Sequence, residues 1–238
     1  MIKVKALRKT FGNIVAVDSV SFEVNKGDVL GFIGPNGAGK TTTMRMLSCL
    51  IRPDSGTAIV NGYDIDCNSL QVRQSLGYLP EQTPLYEEMT VFSFLKFIGE
   101  IKNVARREIE KEVMRVVEVC SLADVCYQTI ETLSKGYKKR VGLAQALISD
   151  PPVLILDEPT DGLDPNQKRD VRAMIRSMAE NKAIIVSTHI LEELEPLCNR
   201  SVIICRGKIV CDLTPEAMKE QGSGDIGDFF EAITRGVT

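Results

Sequence analysis

Long apolar runs are missing from this sequence of 238 residues. No segment approaches the roughly 20 consecutive apolar residues that a membrane-spanning helix needs. The N-terminal segment alternates apolar and charged side chains, which is typical of a strand and not of a signal peptide. We therefore expect a cytoplasmic chain that is neither secreted nor inserted in a membrane, so that work at a membrane requires another subunit.

An excess of positive charge is missing as well. The 29 Lys and Arg residues against 32 Asp and Glu residues give a net charge of −3, which disfavours a nucleic acid as partner. The seven cysteines are scattered and form no Cys-x-x-Cys pair, so we expect reduced thiols without a metal role. Cys120, Cys198 and Cys205 lie in apolar, patterned segments and are expected to be buried.

The composition that is present, 44% hydrophobic and 26% charged, is that of an ordinary globular protein. The length suits one large α/β domain or a core with a smaller subdomain. Strand patterns dominate residues 1–84, helical periodicity dominates residues 85–148, and alternating strands and helices return in residues 149–220. Gly222-Ser223-Gly224 predicts a flexible joint near the start of an apolar tail, residues 221–238.

A glycine-rich loop follows the apolar strand predicted at residues 29–33. Its sequence, Gly-Pro-Asn-Gly-Ala-Gly-Lys-Thr at residues 34–41, fits the G-x-x-x-x-G-K-[ST] motif of phosphate loops and precedes a predicted helix. Lys40 supplies a positive charge for β- and γ-phosphates, and the Thr41 hydroxyl suits Mg²⁺. The nucleotide-binding candidates are Gly34, Asn36, Gly37, Ala38, Gly39, Lys40, Thr41 and Thr42. The alternative is a turn required only for packing.

Two carboxylates follow a second apolar strand, at residues 153–156. Asp157 suits the coordination shell of Mg²⁺, and Glu158 suits polarisation of a water that attacks the γ-phosphate. Ligand sites of α/β sheets form at the carboxyl ends of strands, where these acids are expected. Solvated acids at a strand end are the alternative.

Residues 133–137, Leu-Ser-Lys-Gly-Tyr, resemble the signature Leu-Ser-Gly-Gly-Gln of the ATP-binding cassette (ABC) superfamily. With the two motifs above, the sequence is similar to the ATP-binding subunits of that family over nearly its whole length. The resemblance implies that Ser134 and Gly136 face the γ-phosphate of ATP bound to an opposite subunit. Lys135 and Tyr137 depart from the family's Gly and Gln.

Four further positions take their roles from this resemblance. Gln82 occupies the Q-loop position, which implies contact with Mg²⁺ or the attacking water, and His189 occupies the switch position next to Glu158 and the γ-phosphate. Asp164 falls in the D-loop, where it also predicts an N-cap for the helix that starts at Pro165. Phe11 falls where the family stacks an aromatic ring on adenine, although a core phenylalanine is the alternative.

The family's architecture is an α/β fold with a P-loop NTPase (RecA-like) core, an antiparallel β subdomain and an inserted helical subdomain. The resemblance implies a MgATP-hydrolysing subunit that forms a head-to-tail dimer with a second copy or a paralogue. It also implies a transmembrane permease, which keeps the chain on the cytoplasmic face of the membrane. The motifs look most like exporters with a separate permease chain. The alternative is a soluble ABC ATPase that acts on a macromolecular complex.

Overall fold

A computed structural model describes residues 1–235. The last part of the predicted tail, residues 236–238, lies outside the described residues. The strands are β1 Ile2–Phe11, β2 Ile14–Val24, β3 Val29–Ile33, β4 Ser55–Val60, β5 Tyr63–Asp64, β6 Leu76–Leu79, β7 Val153–Asp157, β8 Ala183–Thr188, β9 Arg200–Cys205 and β10 Lys208–Leu213. The helices are α1 Lys40–Leu47, α2 Ser69–Ser75, α3 Val91–Ile101, α4 Ile109–Val119, α5 Lys135–Leu147, α6 Pro165–Ala179, α7 Leu194–Leu197, α8 Pro215–Gln221 and α9 Ile226–Arg235.

An antiparallel sheet in the order β2-β1-β4-β5 forms one layer. Its β1–β2 hairpin extends to the pair Phe11↔Ile14, well beyond the short strands predicted at residues 2–7 and 21–24. The register of β1 shifts between Val4 and Leu7, which disrupts the alternation that a sequence pattern relies on. Gly12, with φ of +55°, closes the turn.

The second sheet has the order β10-β9-β3-β8-β7-β6. Its strands β9, β3, β8, β7 and β6 run parallel, and every residue of β3, β7 and β8 is buried, as expected for a sheet covered on both faces. Ile33 pairs with Thr188, and Asp157 pairs with Ser187. Strands β3, β8 and β7 are adjacent, and their carboxyl ends lie at the same edge of the sheet. The phosphate loop follows β3, His189 follows β8 and Glu158 follows β7.

The segment between β6 and β7 is helical, as predicted. Helix α4 buries Ile109, Val113, Val116 and Val117 on one face. Helix α5 lies close to β6, since a Cβ on Gly77 would stand 2.0 Å from the carbonyl oxygen of Ala146. The helical segment is thus fixed tightly to the parallel sheet.

The C-terminal segment departs from the prediction of a flexible joint. The amide of Gly222 donates to Met218 at 2.9 Å, and a Cβ on Gly222 would lie 2.0 Å from the carbonyl oxygen of Asp225. This compact turn folds α9 back onto the protein and buries Phe229 in the main hydrophobic core. The apolar residues of the tail therefore pack on the core of their own chain, a contact that local sequence cannot reveal.

The predicted burial of three cysteines is confirmed. Cys120, Cys198 and Cys205 are buried, and all seven cysteines are free thiols. Over residues 1–235, no helix combines the length and hydropathy that crossing a bilayer requires.

Candidate functional site

A cleft of about 440 Å³ opens at the carboxyl edge of the parallel sheet. It is lined by Ala16, Asn36, Gly37, Ala38, Gly39, Lys40, Thr41, Thr42, Glu81, Asp157, Glu158, Asp161 and His189. We call it the phosphate-loop cleft. It brings together most of the predicted nucleotide-binding residues with both carboxylates and the single histidine of the sequence.

Two glycines of the phosphate loop, Gly34 and Gly39, have no room for a side chain. Gly39 has φ of +109°, and its Cβ would stand 2.4 Å from the carbonyl oxygen of Ala16. A Cβ on Gly34 would stand 2.2 Å from the carbonyl oxygen of Ile204. Packing thus constrains the loop, and the same conformation brings its backbone to the cleft at the start of α1, where helix amides favour anions.

Lys40 lies folded against its own loop. Its ammonium donates to the carbonyl oxygens of Gly34 at 2.6 Å and Pro35 at 3.2 Å. Burial lowers the pKa of Lys40, and the negative charges of Glu158 and Asp157 oppose that shift. The cation is therefore partly desolvated and close to both acids, which favours exchange of its carbonyl partners for phosphate oxygens.

Asp157 is a buried acid in which only one of the two carboxylate oxygens is hydrogen-bonded. Its Oδ1 accepts the hydroxyl of Ser187, whereas its buried Oδ2 has no hydrogen-bond partner among the described residues. A second polar cleft of about 190 Å³ is lined by Thr41, Gln82 and Asp157, the three predicted metal ligands. Carboxylate, hydroxyl and amide oxygens are ligands that Mg²⁺ accepts, so these residues fit the ion.

No cluster of three or more His, Cys, Asp or Glu side chains suited to a metal occurs within residues 1–235. A Mg²⁺ ion usually retains waters and takes other ligands from substrate phosphates, with only one or two protein carboxylates. The site accordingly fits an ion that arrives with a nucleotide.

Glu158 has an unusual backbone and an unusual environment. Its φ of +51° lies in the left-handed region, and its amide donates to the carbonyl oxygen of Ser187 at 3.1 Å and to the Ser187 hydroxyl at 3.2 Å. Such backbone strain in a non-glycine residue is typical of functional sites. Burial raises the pKa of Glu158, and the hydrogen bond with His189 opposes that shift.

His189 lies beside this glutamate with its Nδ1 2.8 Å from Oε1 of Glu158. The other carboxylate oxygen, Oε2, is buried and has no partner in the described part of the chain. The imidazole is half exposed and lines the phosphate-loop cleft. The pair therefore places an oriented carboxylate and a half-exposed imidazole at the cleft.

Other predicted residues lie elsewhere. Ser134 caps α5 by accepting from the amide of Tyr137 at 3.4 Å, and a Cβ on Gly136 would stand 2.5 Å from Oε1 of Gln167. Asp164 caps α6, as predicted, by accepting from the amides of Asn166 and Gln167. None of Ser134, Gly136 and Asp164 lines the phosphate-loop cleft of its own chain.

Phe11 also does not line the cleft. Its ring, 50% exposed at the end of the β1–β2 hairpin, has the ammonium of Lys9 5.7 Å from its centroid. Ala16, from the same hairpin, reaches the cleft instead. The alternative of a core phenylalanine is wrong, because the residue is half exposed.

Sequence reasoning missed Ala16, Glu81 and Asp161 as lining residues. The acids carry a weak signal, since each lies within three positions of a residue that was predicted. Ala16 carries none, because only the tertiary position of the hairpin brings it to the loop. Asp161 also forms an ion pair with Lys135 at 3.6 Å. This contact links the cleft to the signature segment, in which Lys135 replaces the family's Gly.

The profile of the family described as ABC transporter matches residues 17–161. The chain belongs to that family. It is 37% identical over 226 residues to the probable multidrug ABC transporter ATP-binding protein YbhF of Escherichia coli (strain K12), a match that covers 94% of this chain and 39% of YbhF. This chain thus spans about two-fifths of the length of that relative.

Two further similarities cover more of the compared proteins. The linearmycin resistance ATP-binding protein LnrL of Bacillus subtilis (strain 168) is 34% identical over 226 residues, covering 94% of this chain and 73% of LnrL. A solved structure titled as the ATP binding subunit of an ABC transporter superposes with a TM-score of 0.89 at 28% identity, covering 98% of this chain and 99% of that one. The predicted P-loop NTPase fold is confirmed.

Proposed function

We propose that this chain hydrolyses MgATP and is the ATPase subunit of a transporter, most similar to exporters. The observation that carries the proposal is the convergence of Lys40, Asp157, Glu158 and His189 on the cleft formed by the phosphate loop. Phosphoryl transfer depends mainly on positioning and charge stabilisation, and these residues supply both.

The chemistry divides among side chains. The loop amides and Lys40 hold the β- and γ-phosphates, while Thr41, Gln82 and Asp157 would hold Mg²⁺, which neutralises phosphate charge when bound. The carboxylate of Glu158 accepts a proton from the attacking water. His189 fixes the orientation of that carboxylate through the 2.8 Å contact. Phe11 remains a candidate for stacking on adenine, at the hairpin end.

A second cassette completes the site in this proposal. Ser134 and Gly136 lie outside the cleft of their own chain, and Ser134 begins a helix whose N-terminus favours an anion. A head-to-tail arrangement with another copy or a paralogue would bring this helix terminus to the opposite ATP. Dimerisation would then depend on bound nucleotide.

The permease requires a docking surface. A groove of about 330 Å³ between α2, α3 and β6 exposes Leu50, Leu70 and Ile101, and Tyr78 also lines it. We call it the apolar groove. Tyr78 lines the small cleft of Thr41, Gln82 and Asp157 as well, so the groove adjoins the metal-ligand candidates. We propose that a cytoplasmic helix of the permease occupies the groove and anchors the chain to the membrane.

Steady-state hydrolysis tests the enzymatic part. We expect Glu158→Gln to bind MgATP while kcat falls by about 10²-fold or more, as for loss of a general base. Lys40→Ala should weaken nucleotide binding itself. Glu118→Gln, at an exposed position on α4, is the matched control. Hydrolysis by Glu158→Gln at the wild-type rate would contradict the role of Glu158.

Purification from membranes tests the transporter part. In mild detergent with MgATP and vanadate, the wild-type chain should recover a stoichiometric multi-span protein. Leu70→Glu should lose that protein, whereas Met114→Glu, exposed on α4 away from the groove, should retain it. Recovery with ribosomes, DNA or an assembly scaffold, and without a membrane protein, would favour the soluble ABC ATPase. Sedimentation of Glu158→Gln with and without ATP measures the nucleotide-dependent dimer.

A further inference from the structure

A carboxylate that the proposed mechanism does not use is buried behind the site. Glu193 precedes α7 and is 2% exposed. Both of its oxygens accept from the hydroxyl of Thr160, at 2.7 and 2.6 Å, and its Oε2 also accepts from the hydroxyl of Thr188 at 3.2 Å. The ammonium of Lys168 on α6 lies 3.4 Å from Oε1. A buried charge with this many partners is a specific arrangement, because an unpaired one is costly.

The partners of Glu193 connect it to the two reactive side chains. Thr160 follows Glu158 by two residues, and Thr188 immediately precedes His189. Both threonines are buried, and the Thr188 hydroxyl also accepts from the amide of Ile190 at 3.1 Å. One carboxylate therefore connects the backbone segments that carry the glutamate and the histidine.

The backbone fixes only the start of the two reactive segments. The strand pair Asp157↔Ser187 and the hydrogen bonds from the Glu158 amide to Ser187 hold the ends of β7 and β8 together, and Glu158 itself is in the left-handed region. Thr160, which follows β7, and Thr188, the last residue of β8, then meet at Glu193. We infer that Glu193 is a positioning residue for hydrolysis, which holds the Glu158 and His189 segments at the separation that their 2.8 Å contact requires. This inference rests on the proposed function.

Kinetics of three variants test the inference. Glu193→Leu should lower kcat by about 10- to 100-fold with the KM for ATP within threefold, because small misplacements of reacting groups are costly and Lys40 is unaffected. Glu193→Gln keeps one acceptor oxygen and should recover part of the rate. Glu192→Gln, exposed on the same turn, is the matched control and should retain wild-type kcat.

A double-mutant cycle separates positioning from simple stabilisation. If Glu193 acts through the reactive pair, its substitution should cost much less in a His189→Ala background than in the wild type. A merely structural role would give the same fold-loss in both backgrounds. Thr160→Val and Thr188→Val each remove one hydroxyl with little change of shape, so they test the contacts if Glu193→Leu fails to fold.

The single histidine supplies a readout that is independent of activity. The imidazole signals of His189 in a ¹H–¹⁵N spectrum need no further assignment, and they should shift in Glu193→Leu, Thr160→Val and Thr188→Val but not in Glu192→Gln. Unchanged signals together with unchanged kcat in both threonine variants would overturn the inference. A wild-type chain that fails to hydrolyse ATP would overturn the proposed function, and the spectra would still decide the role of Glu193.

Discussion

The imidazole Nδ1 of His189 lies 2.8 Å from Oε1 of Glu158, and this contact opposes the effect of burial on the glutamate. Burial alone disfavours the ionised carboxyl, whereas the histidine hydrogen bond favours it. The ionisation state of Glu158, and with it the capacity to accept a proton, is therefore set by a balance of two local effects.

The first prediction concerns pH. Because the pKa of Glu158 in the free chain is raised above its ordinary value of 4.5, kcat/KM for ATP should fall on the acid side with a midpoint above that value. Removal of the histidine hydrogen bond in His189→Ala should raise the pKa of Glu158 further. Titration of the ¹³C-labelled carboxyl, assigned by its loss in Glu158→Gln, measures both values. An equal or lower midpoint in His189→Ala would contradict the proposed balance.

The second prediction is a gain of stability in Glu158→Gln. Between the ordinary pKa and the raised pKa, the folded chain binds more protons than the unfolded chain, so this group makes folding less favourable as pH rises. At pH 7 the neutral amide should therefore increase the free energy of unfolding and raise Tm. Calorimetry at pH 7 checks the increase, and a lower Tm would contradict it.

The third prediction concerns Lys102, at the end of α3 in the apolar groove. Its ammonium donates to the carbonyl oxygens of Arg73 and Leu76, both at 2.7 Å, and burial lowers its pKa to about 8. Between about pH 8 and pH 10.5 the unfolded chain binds more protons, so the free energy of unfolding should rise with pH. Relative to Lys102→Met, the wild type should gain about 2–3 kcal/mol from pH 7 to pH 10.

Urea unfolding at the two pH values measures this gain. Lys111→Met, at an exposed position on α4, is the matched control and should show no such pH dependence relative to the wild type. A stability difference between wild type and Lys102→Met that stays constant with pH would contradict the lowered pKa.

The fourth prediction compares two glycines. Gly77→Ala places a Cβ 2.0 Å from the carbonyl oxygen of Ala146, a backbone atom that cannot move without shifting α5, so we expect a loss of about 3 kcal/mol. Gly99→Ala, inside α3, places a Cβ 3.6 Å from the side chain of Ile109, an ordinary contact. It should stabilise the fold by about 0.5–1 kcal/mol through helix propensity. Thermal unfolding of both variants in one buffer would contradict the packing argument if both shifted Tm in the same direction.

The phosphate loop and both carboxylates could be predicted from the sequence because their signals are local. The segments that precede them, residues 29–33 and 153–156, are buried at every position and form short runs without a charged residue, which is typical of buried strands. The loop motif and the acids then fall at strand ends. The N-cap role of Asp164 was equally local, since a cap and the proline after it are adjacent in sequence.

Other features depend on contacts between distant segments. The full β1–β2 hairpin is irregular in register, so its alternation breaks before the strands end. The sequence places Phe229 in a tail, and only the structure shows that the compact turn at Gly222 folds α9 onto the core. Glu193 resembles any exposed glutamate of a helical turn, and only the burial of Thr160 and Thr188 beside it reveals the cluster.

The order of strands in the parallel sheet has a consequence for biogenesis. Strand β8, which ends immediately before His189, lies between β3 and β7 in the sheet, although β3, β7 and β8 begin at residues 29, 153 and 183. A chain still emerging from the ribosome therefore contains the phosphate loop long before the strand that completes its surroundings. Non-local pairings of this kind form late, so nucleotide affinity should report complete folding, and nucleotide should then stabilise only the finished chain by mass action.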